Sequence, residues 1–357
     1  MTGQRAHRLL VTGGAGFIGS NFVRSTLKEG RAEHVVTLDK LTYAGNTLNL
    51  GPALTDPRHT FVHGDICDGP LVARLLAEHA ITAIIHFAAE SHVDRSIDGP
   101  RPFLDTNVGG TVELLEASRR YFATLSPSAR DSFRFVQVST DEVFGALGAE
   151  GAFNERSPYA PNSPYSASKA AADHFARAYH HTYGLPVVTT HCTNNYGPYQ
   201  FPEKLVPLMV LNALDRRPLP VYGRGTNVRD WIFVGDHCEG VRLALERGRP
   251  GESYLLGAKS ERSNLELVHA ICALVDELRP SPEGPSRELI RFVEDRPGHD
   301  FRYAIDPSKA ASELGFVART TLEQGLRDTV RWYIDHRDWC ARVTNAKYDR
   351  ERLGRST

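Results

Sequence analysis

The chain predicts an α/β fold, a doubly wound parallel sheet with a smaller C-terminal lobe. Three observations carry that prediction. Through residue 191 short β-branched runs alternate with helix-length segments, a glycine-rich turn follows the first run, and beyond residue 192 the alternation gives way to stretches rich in Pro, Gly and Tyr. Strands covered on both faces read as continuous apolar runs, and alternation with helices implies right-handed crossovers between parallel strands.

Taken in order, the strand candidates are RLLVTG (8–13), HVVTLD (34–39), TFVHGD (60–65), AIIHFA (83–88), FRFVQVS (133–139) and LPVVTTH (185–191). Helix-length segments such as 21–28 and 71–79 lie between them. With its glycine turn after the first strand, this half reads as a Rossmann domain. NNYGPYQFPEK (194–204) and RRPLPVYGRGTNVRD (216–230) read instead as long ordered loops, followed by helices near 265–278 and 321–336. The expected division is residues 1–191 plus about 227–250 for the Rossmann domain, and 192–226 with 251–345 for a substrate-binding lobe. RPSPEGPSR (279–287) is the expected flexible surface loop, and the tail after Tyr348 is expected to fray.

Composition removes several classes of function. The 357 residues carry 42 Lys+Arg against 43 Asp+Glu, a net charge of −1, with 41% hydrophobic residues. That balance offers no electrostatic footprint for nucleic acid or an acidic membrane, and no apolar run approaches the roughly 18–20 residues of a membrane span. The five cysteines, Cys67, Cys192, Cys238, Cys272 and Cys340, form no CxxC pair and no even framework. Together with an N-terminus that runs straight into a strand, this predicts a cytoplasmic protein without a disulfide scaffold. The histidines lack a ligand set at metal spacing, so no metal is expected.

RLLVTGGAGFIGS sets Gly13, Gly16 and Gly19 between the first strand and a helix. Gly13 permits the tight turn, Gly16 lets backbone amides approach a pyrophosphate at the helix N-terminus, and Gly19 allows close helix–strand packing. Phe17 and Ile18 belong to the same turn. Asp39 ends the second strand twenty residues beyond Gly19. A carboxylate there accepts hydrogen bonds from both ribose hydroxyls and repels a 2′-phosphate, which favours NAD over NADP, with Lys40 alongside. Asp65 and Ile66 after the third strand fit the adenine edge, and Phe87, Ala88 and Ala89 after the fourth fit the pyrophosphate and ribose.

SPYSASKAA (163–171) sets Tyr165 and Lys169 four apart on one predicted helix. An ammonium beside a phenol favours the phenolate and is expected to pull its pKa down from about 10, making Tyr165 a base for an alcohol proton. The fifth strand ends in Thr140, Asp141 and Glu142, a hydroxyl and two carboxylates at the ligand-bearing edge of the sheet. Two carboxyls in one pocket tend to split their pKa values, as a reaction needing one acid and one base requires.

On these motifs the chain resembles the extended short-chain dehydrogenases/reductases and, within them, the dTDP-glucose 4,6-dehydratases. Matching segments run from residue 8 to about 340: TGGAGFIGSNF, LDKLTYAGN, GDICD, HFAAESHVDRSI, STDEVFG, SPYSASKA, TNNYGPYQFPEKLVPL, NVRDWIFVGDH and DRPGHDFRYAID. The Thr-Asp-Glu triplet discriminates most, since epimerases of the superfamily carry the Tyr-Lys part without the Asp-Glu pair. Two positions depart from the pattern: His191 stands where arginine is expected, and Thr193 where serine is commoner.

The resemblance implies a cycle that oxidises carbon 4 of a glucosyl ring, eliminates water across carbons 5 and 6, and reduces carbon 6. Tyr165, Thr140 and Lys169 would serve the first step, Glu142 would be the carbon 5 base and Asp141 the acid. It also implies that Cys192 lies beside the nicotinamide as a small buried residue, and that Ser91, together with Glu90, reaches the sugar or nicotinamide. Asn194 and Arg229 would hold the substrate phosphates, with His299 and Arg296 close by. Glu203, Lys204, Leu205, Pro220 and Tyr222 would line the nucleoside pocket, with Asn264 near the ribose or phosphate. A homodimer built on the helix near 106–120 and the Tyr165 helix is expected. The alternatives are a dehydratase for another nucleotide, a sugar-nucleotide 4-epimerase, and a non-catalytic NAD-binding protein.

Overall fold

The structure, a computed structural model, describes residues 7–344 and 348–350. Its strands are β1 (His7–Thr12), β2 (Ala32–Asp39), β3 (His59–His63), β4 (Ala83–His86), β5 (Arg134–Thr140), β6 (Val187–Cys192), β7 (Asn194–Tyr196), β8 (Leu219–Tyr222), β9 (Val228–Phe233), β10 (Ser253–Leu256), β11 (Glu261–Ser263) and β12 (Ile290–Val293). Seven form one parallel sheet in the order β10-β6-β5-β4-β1-β2-β3. The order reverses at β1, which pairs with β2 on one side and β4 on the other. Ligands of such sheets bind at this switch point, beyond the carboxyl ends of the strands.

The sheet is covered on both faces, as its apolar runs require. Leu9 and Val11 point into a core closed by helices Phe17–Lys28 and Val234–Arg247, whereas Leu10 points into one closed by Gly69–Glu78, Thr111–Thr124 and Pro164–Tyr183. That alternation is the period-two geometry of a strand buried on two sides. A separate core gathers Tyr196, Met209, Val221, Trp231, Ile271, Val330 and Tyr333. It packs helices Leu205–Leu214, Asn264–Leu278 and Leu322–Asp335 beside the small sheets β11-β9-β7 and β12-β8.

The six expected strands of the first half are present within one or two residues. The C-terminal part holds more regular structure than its composition suggested. Residues 205–214 and 234–247 are helical, and β10 supplies the edge of the main sheet although the expected boundary at 250 set it in the other lobe. Short strands interrupted by Pro and Gly give too few periods to be read from sequence. The 279–287 stretch is anchored, since Arg216 donates to the carbonyls of Glu283 and Gly284 and Ser286 donates to Asp276. Of the tail after Tyr348, residues 351–357 lie outside the described residues.

Candidate active site

One cleft opens above β1, β2, β4, β5 and β6 with a volume of about 310 Å³. Gly13 adopts φ +68°, and a Cβ there would come within 2.6 Å of the Ala88 nitrogen. A Cβ on Gly19 would collide with the Gly13 carbonyl, so the turn and helix approach too closely for a side chain. Gly16 is the N-cap of Phe17–Lys28 and offers no capping side chain, so the first-turn amides at Phe17, Ile18 and Gly19 border the cleft unclaimed by any cap. Such a terminus suits an anion. The Asp39 carboxylate accepts from the Ala15 and Leu41 amides, both at 2.8 Å, which aims it at the same space. Each oxygen keeps a lone pair for a ribose hydroxyl. Lys40 pairs with Asp65 at 2.7 Å, and Ile66, Phe87, Ala88 and Ala89 complete this wall. These residues fit a dinucleotide cofactor.

Thr140, Asp141 and Glu142 leave the end of β5 in a single turn of 3₁₀ helix, with the Thr140 hydroxyl accepting from the Glu142 amide at 3.3 Å. Opposite them Ser163 caps Pro164–Tyr183 in a capping box, and a proline at the first helical position sets its direction. Tyr165 and Lys169 emerge one turn apart on the face that lines the cleft, beside Cys192. Lys169 donates to the Val138 carbonyl at 2.8 Å.

The electrostatics correct one expectation. Burial, followed by the negative charge of Glu142, pushes the Tyr165 phenol well above its ordinary range, although a hydrogen bond with Thr140 opposes the rise. Burial also pushes Lys169 down. Its ammonium is committed to Val138, so lysine alone does not bring the phenol towards neutrality; the cationic ring of an oxidised nicotinamide would supply the further positive charge.

Burial raises both carboxyls, and the charges around them differ. Asp141 is 1% exposed, one of its oxygens has no hydrogen-bond partner, and burial with the charge of Glu142 raises its pKa strongly. Burial raises Glu142 too, but Arg296, Arg229 and Lys204 pull it back. Arg296, Arg229 and Lys204 thus favour the ionised form of Glu142, whereas the charges of Glu142 and Asp230 favour the protonated form of Asp141. Burial also raises the Cys192 thiol to about 12, which leaves it no thiolate to act as nucleophile.

Of the substrate candidates, Ser91, Asn194, Glu203 and Lys204 line the cleft. Lys204 donates to the Ser91 carbonyl at 3.0 Å, and Glu203 pairs with Arg95 at 3.2 Å. Leu205, Pro220, Tyr222, Arg229, Asn264, Arg296 and His299 lie outside this wall. Tyr222 and Arg296 both donate to the buried Asp94, at 3.0 and 3.2 Å. Arg229 is buried under Tyr303 and donates to the Asp300 and Phe301 carbonyls, and His299 meets Asp295 at 2.6 Å. Leu205 packs on the second core, Pro220 pairs with Arg291 in β12, and Asn264 donates its amide to the Asn227 carbonyl.

Three residues escaped the sequence. Asn107 accepts from the Glu90 amide at 2.8 Å and donates to the Glu90 carbonyl and the Ser168 hydroxyl, fixing the loop after β4. It stands in a π-helical turn, Leu104–Gly110, and such turns cluster at functional sites. Asp94 is the acceptor shared by Tyr222 and Arg296. Asp173 accepts from the Ser139 hydroxyl at 2.5 Å and lies 3.3 Å from His191, which stands behind Cys192 without reaching the cleft. Asp173 could be suspected only from its place one turn beyond Lys169 and Asp94 only from lying inside HFAAESHVDRSI, while Asn107 gave no advance signal. Among the described residues no group of three or more His, Cys, Asp or Glu could hold a metal ion, and no helix is long and apolar enough to cross a membrane.

A parallel sheet with a glycine-rich turn, an Asp at the end of β2 and a Tyr/Lys pair facing Thr140 defines a class, and comparison agrees: the chain belongs to the family described as GDP-mannose 4,6 dehydratase, whose model matches residues 10–329. Within it, the chain is 58% identical over 346 residues to the dTDP-glucose 4,6-dehydratase of Xanthomonas campestris pv. campestris, covering 97% of this chain and 98% of that one. A dTDP-glucose 4,6-dehydratase from Streptomyces venezuelae, crystallised with NAD and TYD, is 50% identical with a TM-score of 0.86, covering 94% of this chain and 99% of that one. The UDP-glucose 4-epimerase of Thermus thermophilus, in complex with NAD, shares the fold at TM-score 0.80 and 30% identity, over 92% of this chain and 99% of that one.

Proposed function

We propose that this protein is an NAD-dependent dTDP-glucose 4,6-dehydratase, a lyase producing dTDP-4-keto-6-deoxyglucose. The observation that carries the reading is the placement of two adjacent carboxyls, Asp141 and Glu142, in the cleft with Tyr165, with Arg296, Arg229 and Lys204 favouring the ionised form of Glu142. A 4-epimerase needs no such pair. High identity to enzymes named for this reaction supports it over nearly the whole chain.

The chemistry that bound NAD supplies is hydride exchange, out of carbon 4 and later into carbon 6. Gly13, the first-turn amides and Asp39 hold and orient the cofactor. Tyr165 takes the proton of the 4-hydroxyl, with Thr140 beside it favouring the phenolate. The resulting ketone acidifies the carbon 5 hydrogen, and Glu142 removes it. Asp141 gives its proton to the departing 6-hydroxyl, which leaves as water, and Glu142 returns its proton to carbon 5 as carbon 6 is reduced. Asn194, Glu203 and Lys204 bind the nucleotide from the cleft wall. Arg229 and Arg296 serve the diphosphate and favour the ionised form of Glu142, with Tyr222 and His299 beside Arg296. Leu205, Pro220 and Asn264, all of the second lobe, shape the nucleoside end.

A homodimer is part of the proposal. Phe175 and Tyr183 on Pro164–Tyr183, and Leu104 just before Thr111–Thr124, are large exposed apolar side chains on the helices expected to pair. The five free cysteines are consistent with a cytoplasmic location. Incubation with dTDP-glucose and UDP-glucose in parallel, with product mass measured, tests the function. The dTDP sugar is expected to lose the mass of one water. Conversion of UDP-glucose without loss of mass would support the epimerase instead.

A further inference from the structure

The helix Arg337–Thr344 belongs to no motif used above, yet it reaches the glycine-rich turn. Trp339 donates through Nε1 to Asn49 Oδ1 at 3.1 Å, and Asn49, 2% exposed, donates through Nδ2 to the Ala15 carbonyl at 2.8 Å. Ala15 lies between Gly13 and Gly16, and its amide is already bonded to Asp39. Both backbone groups of the turn's central residue are thus held: the amide by the ribose-facing carboxylate, and the carbonyl by the Asn46 amide at 3.0 Å and by Asn49, whose side chain Trp339 fixes.

A second contact closes the opposite wall. Tyr348 packs against Phe201 with ring centroids 5.9 Å apart, and Phe201 meets Tyr43 edge-on at 5.8 Å. Phe201 borders the cleft on one side, and Thr42 and Ala44, the neighbours of Tyr43, border it on the other. The same segment is moored to the second lobe, where Arg337 and Arg350 both pair with Asp215 and Asp349 pairs with Arg217. Cys340 is buried in that lobe's core.

We propose that the helix Arg337–Thr344 together with residues 348–350 is a strap that sets how fast the cofactor leaves, with Trp339 and Asn49 as positioning residues for the glycine-rich turn. Moored on one lobe and bonded to the other, it must loosen for the two cleft walls to part. The inference rests on the NAD reading. A cycle that withdraws a hydride and returns it later needs a slow release step, and the strap supplies one without touching the reacting atoms.

The test uses holoenzyme and follows release of bound NADH by its fluorescence. Trp339→Phe keeps an aromatic ring and removes the N–H donor. Release is expected to accelerate roughly three- to tenfold, the effect of one neutral hydrogen bond. Tyr348→Ala should accelerate release independently through the other wall. The rise in melting temperature that NAD confers should shrink in both variants. Wild-type release rates in both, with an undiminished NAD-dependent rise, would overturn the strap. Wild-type protein that neither carries nor binds NAD(H) would instead overturn the cofactor reading itself.

Discussion

Above β1 and β2 the cleft is made by backbone, whereas around Glu142 it is made by side chains meeting from distant parts of the chain. The glycine turn, the amides of one helix terminus and Asp39 lie within residues 13–39, and each is positioned by the strand or helix it belongs to. On the other side, Arg296 reaches Asp94 across 202 residues of sequence and Tyr222 reaches it across 128. The first arrangement binds what every dinucleotide shares, so local geometry suffices. The second must tune a base and recognise one substrate, which needs charges whose placement depends on the whole second lobe.

The backbone-made half should break abruptly. Gly13→Ala forces a side chain into φ +68° and to within 2.6 Å of Ala88. The left-handed conformation alone costs about 1–2 kcal/mol, and the clash adds to it. We expect the variant to retain no NAD(H) after purification, as read from absorbance of the denatured supernatant. A normal cofactor content would show that the turn tolerates what the geometry excludes.

The side-chain-made half should degrade by degrees. Arg296→Met removes the first of the charges that hold Glu142 down. Glu142 is needed ionised, so activity falls as pH drops through its pKa. Removing Arg296 raises that pKa, and the acid limb of kcat/KM should move to higher pH, with a higher KM as well. An unmoved acid limb would detach Arg296 from the proposed base.

The smallest effect is on stability. The raised pKa of Asp141 means that its protonated form is favoured by folding, so its contribution is present at low pH and is lost as pH rises through the folded value. Asp141→Asn should therefore melt higher than wild type at neutral and alkaline pH. The gain is the linkage cost of a carboxyl whose proton affinity differs between folded and unfolded chain, a cost that Asn does not carry. The gap should close below about pH 4, the ordinary range of an aspartate. Equal melting curves at every pH would show that Asp141 carries no such cost.

This contrast also explains what was legible in advance. The main sheet and its glycine turn could be read because strand period, turn chemistry and residue spacing coincide there. Thr140, Asp141, Glu142, Tyr165 and Lys169 could be placed because two consecutive elements carry them to one strand edge. Asn107, Asp94 and Asp173 could not, since a lone polar residue inside a helix shows no period and its partners are remote. The phenol of Tyr165 was misjudged for a related reason. Spacing set Lys169 on the same face, but only the structure revealed that its ammonium is taken by Val138 and that Glu142 stands nearer in effect. Helices Leu205–Leu214 and Val234–Arg247 were hidden by the Pro- and Gly-rich segments around them.

The central claim is that Glu142 is the carbon 5 base and Asp141 the acid of an elimination. It is tested most directly with Glu142→Gln, dTDP-glucose and deuterated solvent, following carbon 5 exchange by NMR and the reduced cofactor by its absorbance. Loss of a positioned base costs about a hundred- to ten-thousandfold in rate. The account predicts that the reduced cofactor still forms while exchange at carbon 5 and release of water slow by that factor. Exchange and turnover at wild-type rates would contradict it.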